Sequence, residues 1–285
     1  MDVQDMSLVL EGGTFRTIFT AGILDALMEE GIRMPYVVAV SAGAINATSY
    51  ISNQPKRTLR VLTTYRNDKR YMGIRNIWRE KSIFGLDFAC NVIPNQLDLF
   101  DWDTYYQYPG KAEFGVTNAV TGEIEYIDAL TMDKKCMLLR ASCAIPLLLP
   151  EINLGGKSYF DGALTDPIPI KRAMEQGFKK HVIISTRPAG YVKKQGSKSK
   201  IAIKWLARRY PNLVKCMQQR VAGYNEILAF CHKLESEGAA LIFKPDYALN
   251  DFEKNVPKIH QNYQMGYQQA KTRMKEIKDF LTIEK

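Results

Sequence analysis

A serine at position 41 follows the apolar run Tyr36-Val37-Val38-Ala39-Val40 and precedes Ala42-Gly43-Ala44-Ile45-Asn46, small residues that can open a helix. A strand that turns into a helix within one or two residues holds such a serine on a strained turn, its hydroxyl exposed above the sheet. Bulk beside it would collide, and Gly43 meets that demand two positions later. The positive end of the helix then points at an oxygen that must become an alkoxide. This is the chemistry of a nucleophile elbow, with Ala39 in the first position of Gly-x-Ser-x-Gly. The same outline also describes an ordinary strand-to-helix turn.

Upstream, Ser7-Leu8-Val9-Leu10 reads as a short strand that runs into Glu11-Gly12-Gly13-Thr14-Phe15-Arg16, and Thr20 to Leu27 reads as the next helix. Glycines between a strand and a helix present successive backbone N–H groups to an anion, either a phosphate or the oxyanion of an acyl-transfer intermediate. Arg16 would reinforce either use. Neither Gly-x-Gly-x-x-Gly nor Gly-x-x-x-x-Gly-Lys-Ser/Thr can be laid on these residues, which disfavours a nucleotide loop. A plain glycine turn fits them too. Downstream, Tyr159-Phe160-Asp161-Gly162-Ala163 places Asp161 at the end of an aromatic strand. A carboxylate there can accept the serine proton or orient its base, and Asp-Gly is also a common turn.

Glycine loop, serine elbow and Asp-Gly, in this order, resemble the patatin-like phospholipase family of lipid acyl hydrolases. Glu11-Gly12-Gly13-x-x-Arg16 is similar to the family's oxyanion loop, Ser41 with Gly43 to its nucleophile motif, and Asp161-Gly162-Ala163 to its Asp-Gly-Gly/Ala. Arg140-Ala141-Ser142-Cys143-Ala144-Ile145-Pro146 resembles the Ala-Ser-x-Ala-x-Pro stretch between them. The likeness spans about residues 6 to 190, and the segment that opens with Arg209-Tyr210-Pro211-Asn212-Leu213 resembles the C-terminal part of a bacterial subgroup.

The resemblance implies ester hydrolysis by a Ser-Asp dyad without histidine. Ser41 would be the nucleophile, and Asp161 the base that takes its proton and later activates water. Gly12, Gly13 and Thr14 would offer the N–H groups of the oxyanion hole, and Arg16 would steady the loop or the anionic head of the substrate. A lipid or lysolipid ester is the implied substrate. Thr14 and Thr17 stand where the family usually has glycine, and a threonine is awkward at a positive φ. That leaves a non-catalytic protein binding lipid or a partner on the same fold as the alternative. A Ser-Asp-His triad is the rival catalytic arrangement, using His181, His232 or His260. It conflicts with the single strand and helix before Ser41, since an α/β-hydrolase places several strands before its elbow. Cys143 is the cysteine nearest the motifs, and packing in its apolar stretch accounts for it better than nucleophilic chemistry.

The elements that must position these residues follow a simple rhythm. Strand-like runs at Leu8–Leu10, Tyr36–Val40, Glu113–Thr117, Ile124–Ile127, His181–Thr186 and Leu241–Lys244 alternate with helical patterns. This predicts a three-layer α/β/α fold around a mainly parallel sheet. Residues 1–285 read as a single domain, with the motifs in a core of about 6–190 and a C-terminal extension of about 200–285. Tyr267, Ala270, Met274, Ile277 and Leu281 recur at steps of three and four, predicting one helix from Gln264 to Leu281.

No secretory signal precedes the first strand and no apolar run approaches the length of a membrane span, so a cytoplasmic location is expected. Five cysteines without a Cys-x-x-Cys pair fit reduced thiols, and scattered histidines and cysteines imply no metal and no cofactor. Residues 171–220 hold fourteen Lys and Arg against the single acid Glu175, or +13 in a chain whose total is +9. Such a surface suits peripheral contact with an anionic membrane, or is a solvated face. Nucleic acid is not expected, because no nucleic-acid motif accompanies the charge. The run from Lys193 to Lys200 reads as a mobile surface loop. Ten of the thirty aromatics lie between Tyr65 and Tyr108, either as a lid over an acyl site, with Trp78 and Trp102 lining it, or as packing on the flank of the sheet.

Overall fold

The computed structural model describes residues 5–195 and 200–281. Residues 196–199, within the lysine-rich run read as a surface loop, lie outside the described residues. The strands are β1 (Met6–Leu10), β2 (Tyr36–Val40), β3 (Lys111–Asn118), β4 (Ile124–Asp128), β5 (Ile152–Leu154), β6 (Lys157–Asp161), β7 (Lys180–Ile184) and β8 (Ala240–Phe243). They form one sheet in the order β5-β6-β3-β2-β1-β7-β8, with β4 also on β3. Strands β3, β2, β1, β7 and β8 are parallel, whereas β4, β5 and β6 attach antiparallel at one end. Each strand read from the sequence is present to within one or two residues. The three-residue β5 escapes a sequence reading, since a segment that short carries no period.

Helices cover both faces. They are α1 (Ile18–Glu29), α2 (Ala42–Ile51), α3 (Arg57–Tyr65), α4 (Ile74–Glu80), α5 (Trp102–Tyr106), α6 (Met137–Ser142), α7 (Ile170–Glu175), α8 (Lys200–Arg209), α9 (Pro211–Ser236), α10 (Val256–Thr272) and α11 (Met274–Leu281). Alternate strand residues sort into two cores, as the two-residue period of a strand requires. Leu8, Leu10, Val37, Ala39, Val182 and Ile184 pack with Phe19, Ile23, Tyr50 and Ile277 on one face. Val9, Tyr36, Val38, Ile183 and Ile242 pack with Ile170, Ala173, Ile227 and Cys231 on the other. This is the expected three-layer arrangement.

The predicted C-terminal helix differs in its bounds. It begins earlier, where the Asn255 carboxamide accepts the N–H of Lys258 and Pro257 occupies the first turn, and it breaks at Arg273 into α10 and α11. Ala270, Met274, Ile277 and Leu281 are buried on either side of the break. Helix α10 crosses α1 at two glycines. A Cβ on Gly22 would lie 2.1 Å from the Tyr263 carbonyl oxygen, and one on Gly266 would lie 2.1 Å from that of Phe19. Gly22→Ala is therefore expected to destabilise the fold by about 3 kcal/mol, since overpacking against backbone outweighs the roughly 1 kcal/mol of helix propensity gained. Urea denaturation checks it, and an unchanged midpoint would refute the close crossing.

Candidate active site

Strand register brings the serine and the aspartate to one point. Strand β2 runs along β3 and ends with Val40 opposite Gly115. Strand β6 runs the other way and ends with Asp161 opposite Val116. Because β4 occupies Glu113–Thr117 on one edge of β3, β2 and β6 must share the other edge and meet head to head. The Ser41 hydroxyl donates to Asp161 Oδ2 at 2.7 Å, across 120 positions of sequence.

The turn that carries Ser41 is strained and held from several sides. Ser41 sits at φ 55°, ψ −136°, a conformation a non-glycine residue adopts only when its surroundings fix it. Its N–H donates to Ser142 Oγ at 2.9 Å, and that hydroxyl donates to the Gly115 carbonyl at 2.8 Å. In the sequence Ser142 is one residue of a motif, and nothing local gives it this role. Gly43 is needed because a Cβ would stand 2.7 Å from the Glu11 carbonyl oxygen. Gly162 likewise passes Gly115, where a Cβ would lie 2.2 Å from its oxygen. Ala39 lies fully buried in the core beneath the elbow.

Asp161 is 3 % exposed. Burial pushes its carboxyl up to about 6, against the opposing pull of the Ser41 hydroxyl, the Ala163 N–H and the nearby positive charge of Arg220. The Ala163 N–H reaches Oδ1 at 2.8 Å, leaving Oδ2 for the serine. The carboxyl is thus oriented by backbone and tuned toward the range where it can exchange a proton near neutral pH.

The glycine loop packs directly on this pair. A Cβ on Gly12 would lie 2.9 Å from Ser41 Cβ and 3.1 Å from Ala163 Cβ. Among the described residues, none accepts the N–H groups of Gly12, Gly13 or Thr14. Thr14 does take the positive φ that its side chain disfavours, at 46°. Its hydroxyl lies 2.8 Å from the Gly13 carbonyl and 2.7 Å from that of Asp251, contacts that offset the strain. The Thr17 hydroxyl donates to the Thr14 carbonyl at 2.8 Å. Both threonines thus bind the loop through hydroxyls that glycine lacks. Arg16 is buried, pairs with Asp251 and reaches Thr186 Oγ1 at 3.3 Å. Glu11 is also buried: its carboxylate accepts the Ser185 hydroxyl and Thr186 N–H at 2.6 Å each and the Tyr224 hydroxyl at 2.8 Å. Asp251, Thr186 and Tyr224 belong to the site's frame and escape a sequence reading, since nothing around them points to a loop so far away.

An apolar cavity of about 200 Å³ opens beside Ser41. Ile45, Leu62, Phe84, Phe100, Trp102 and Leu149 are among the residues lining it. The aromatic segment therefore divides: Trp102, Phe84 and Phe100 face the cavity, whereas Trp78 is 90 % exposed and lies outside it. Of the two readings of this segment, a cover lining the site or packing on the flank of the sheet, Trp102 follows the first, whereas Trp78 follows neither, because the seven-residue α4 turns it to the surface. Cys143 lines the cavity, but burial and the neighbouring Asp161 hold its thiol well above the ordinary range, against a thiolate nucleophile.

The histidine triad has no geometry. His181 is paired in register with Ser7, which pairs with Tyr36, five residues before Ser41. At about 3.3 Å per residue that is roughly 16 Å along the sheet. Its Nδ1 meets Ser7 Oγ at 2.8 Å, and burial lowers it to about 4. His232 is half-buried on α9 and His260 is exposed on α10, and neither lines the cavity. Among the described residues no three His, Cys, Asp or Glu side chains are placed to hold a metal ion.

Known proteins share this pattern. Residues 8–174 match the patatin-like phospholipase family, and residues 210–282 match a domain of unknown function, DUF6363. An uncharacterized Escherichia coli protein, YjjU, is 28 % identical over 92 % of this chain and 74 % of its own length. Lysophospholipase NTE1 of Eremothecium gossypii is 23 % identical over 96 % of this chain, which spans only 18 % of that larger protein. Among solved structures, VipD from Legionella pneumophila aligns over 96 % of this chain and 67 % of its own at 15 % identity, with a TM-score of 0.48. With the match running through the glycine loop, the serine elbow and Asp161, the chain belongs to the patatin-like phospholipase family.

Proposed function

We propose that the chain hydrolyses carboxylic esters of phospholipids or lysophospholipids through a Ser41-Asp161 dyad. The observation that carries this is the 2.7 Å hydrogen bond to a buried carboxylate from Ser41, which lines an apolar cavity. As Ser41 Oγ attacks the ester carbonyl, Asp161 Oδ2 takes its proton. The N–H groups of Gly12, Gly13 and Thr14 receive the negative charge on the former carbonyl oxygen. Collapse breaks the bond to the alcohol, which leaves with the proton from Asp161. Water then enters, gives a proton to Asp161 and attacks the acyl carbonyl, and the released serine regains its proton. In this scheme Arg16 steadies the loop through its contacts with Asp251 and Thr186. Residues 1–285 act as one unit in this scheme, since Asp251 anchors the loop.

Peripheral contact with an anionic membrane through the 171–220 region belongs to the same proposal, at a cytoplasmic location. Lys171, Lys179, Lys194, Lys204, Arg208 and Lys215 are exposed there, while Arg172 and Arg209 pair with Glu113 and Glu151. On α4, Ile74 and Trp78 are exposed beside Arg75 and Arg79, a composition suited to a lipid interface. Among the described residues no helix is long and apolar enough to cross a membrane.

The test is intact-mass detection of labelling by a long-chain alkyl fluorophosphonate. One adduct on the wild type, absent from Ser41→Ala, is the expected result. A folded wild type that stays unlabelled would overturn the proposal and favour lipid binding without chemistry. The cavity predicts selectivity as well. Trp102→Ala should raise the ratio of kcat/KM for long over short acyl esters severalfold, whereas Trp78→Ala should leave that ratio alone. A ratio that moves equally in both would remove Trp102 from the acyl path.

A further inference from the structure

Outside the set of residues that line the cavity, three cations gather near the glycine loop. A Cβ on Gly13 would touch Thr186 Oγ1 at 2.7 Å, and Arg187 follows Thr186. Arg220 on α9 donates to the carbonyl of Ala163, two residues past Asp161, at 3.3 Å. Tyr224 lies one turn along on the same face of α9, and Lys193 Nζ stands 4.4 Å over its ring. Tyr191 meets Tyr224 edge-on at 5.9 Å and carries Arg187 over its ring at 4.6 Å. Lys193 is fixed by its backbone, since its N–H donates to Asn225 Oδ1 at 2.9 Å and its carbonyl accepts from Asn225 Nδ2 at 3.1 Å.

The charges here do not balance. Glu11 is engaged by Ser185, Thr186 and Tyr224. Asp251 is taken by Arg16 and lies 3.7 Å from Arg187. Among the described residues neither Lys193 nor Arg220 has a carboxylate within ion-pair distance, although the two lie close enough to repel. Burial and this repulsion, with that of Arg187, lower Lys193 to about 8. With Asp251 shared between Arg16 and Arg187, and Glu11 acting on Lys193 only from beyond ion-pair distance, the cations outnumber the carboxylates around them, and a partly desolvated excess of positive charge forms a site that an anion completes.

We propose that Arg187, Lys193 and Arg220 form a phosphate-binding subsite next to the Ser41-Asp161 pair. Resting on the hydrolase reading above, it would take the phosphate of a lysophospholipid headgroup while the acyl chain lies in the apolar cavity. Guanidinium groups present paired N–H donors that match phosphate oxygens, and Lys193 adds a mobile ammonium. The ester carbonyl of a bound lipid then falls between the two, at Ser41.

Binding is measured first without chemistry, by titration calorimetry on the full chain carrying Ser41→Ala, with glycerol 3-phosphate, inorganic phosphate and glycerol. One molecule of glycerol 3-phosphate should bind, glycerol should not, and Lys193→Gln should weaken binding about tenfold or more while Lys193→Arg restores it. Tighter binding of glycerol 3-phosphate than of inorganic phosphate assigns the site to a lipid headgroup, and equal or tighter binding of inorganic phosphate assigns it to the free ion. Loss of neither ligand on Lys193→Gln, or no binding at all, overturns the site. Catalysis is then compared on lysophosphatidate and a monoacylglycerol of the same chain length. The preference for lysophosphatidate should fall about tenfold in Lys193→Gln, through KM. Glycerol 3-phosphate that binds to a chain unlabelled by the fluorophosphonate would sink the hydrolase and leave the subsite standing.

Discussion

Asp161→Asn is expected to lower kcat by about 10³ to 10⁴ and, at pH 7.5, to raise the melting temperature by several degrees. On the proposed dyad, the first effect follows from losing the group that would accept the Ser41 proton. The second follows from linkage. Burial lifts the folded-state pKa of Asp161 to about 6 from an ordinary 3.8, so the folded chain holds this proton more tightly than the unfolded one. Stability therefore falls as pH rises through the window between about 4 and 6. Above it, the ionised buried carboxylate costs up to about 3 kcal/mol, at 1.36 kcal/mol per unit. A neutral carboxamide removes that cost and still accepts the Ala163 N–H. Near pH 4 the two proteins should melt together. In the wild type, kcat/KM should decline on the acid side with an apparent pKa near 6, because protonated Asp161 cannot receive the serine proton. Melting curves and pH–rate profiles check both parts, and a variant that melts below the wild type at both pH values would make Asp161 a stabilising contact instead of a strained base.

Gly12→Ala should cost about 10² to 10³ in kcat, the range for losing an oxyanion donor. Its methyl would meet Ser41 Cβ at 2.9 Å and Ala163 Cβ at 3.1 Å, so the loop must retreat from the elbow it packs on. The displaced N–H then no longer faces the carbonyl oxygen of a bound ester. Circular dichroism should stay native, since the sheet beneath is untouched, and fluorophosphonate labelling should slow by a similar factor. Activity within threefold of wild type would mean that the donors lie elsewhere.

Much of the fold is legible in the sequence because its carriers are local. Buried parallel strands such as Tyr36–Val40 are continuous apolar runs, and small residues must come next where a strand turns sharply into a helix. Ser41 can be named because it ends such a run, and Asp161 because it closes the aromatic pair Tyr159-Phe160 before a glycine, although nothing in either segment says that β2 and β6 share one edge of β3. From its φ alone, Thr14 is a liability. Its hydroxyl contact with Asp251 depends on a loop far along the chain and leaves no trace near residue 14. Trp78 and Trp102 look alike in an aromatic-rich stretch, and only the packing of α4 and α5 separates a surface side chain from a cavity wall. The break at Arg273 is invisible because apolar spacing continues across it. In the sequence Lys193 and Arg220 merely add to a charge excess, which shows how many cations there are and not which of them converge.

Thr14 and Asp251 are 237 positions apart, and Arg16 pairs with the same aspartate. Synthesis runs in one direction, so a ribosome-bound chain exposed as far as β7 already carries Ser41 and Asp161 but not the counter-ion of the glycine loop. Strand β8 and helix α10, which complete the sheet and cross α1, are also still to come. The loop that would face an ester is thus among the last parts to set. If the proposed hydrolase reading holds, a nascent chain, or a fragment cut before residue 251, is expected to lack that activity.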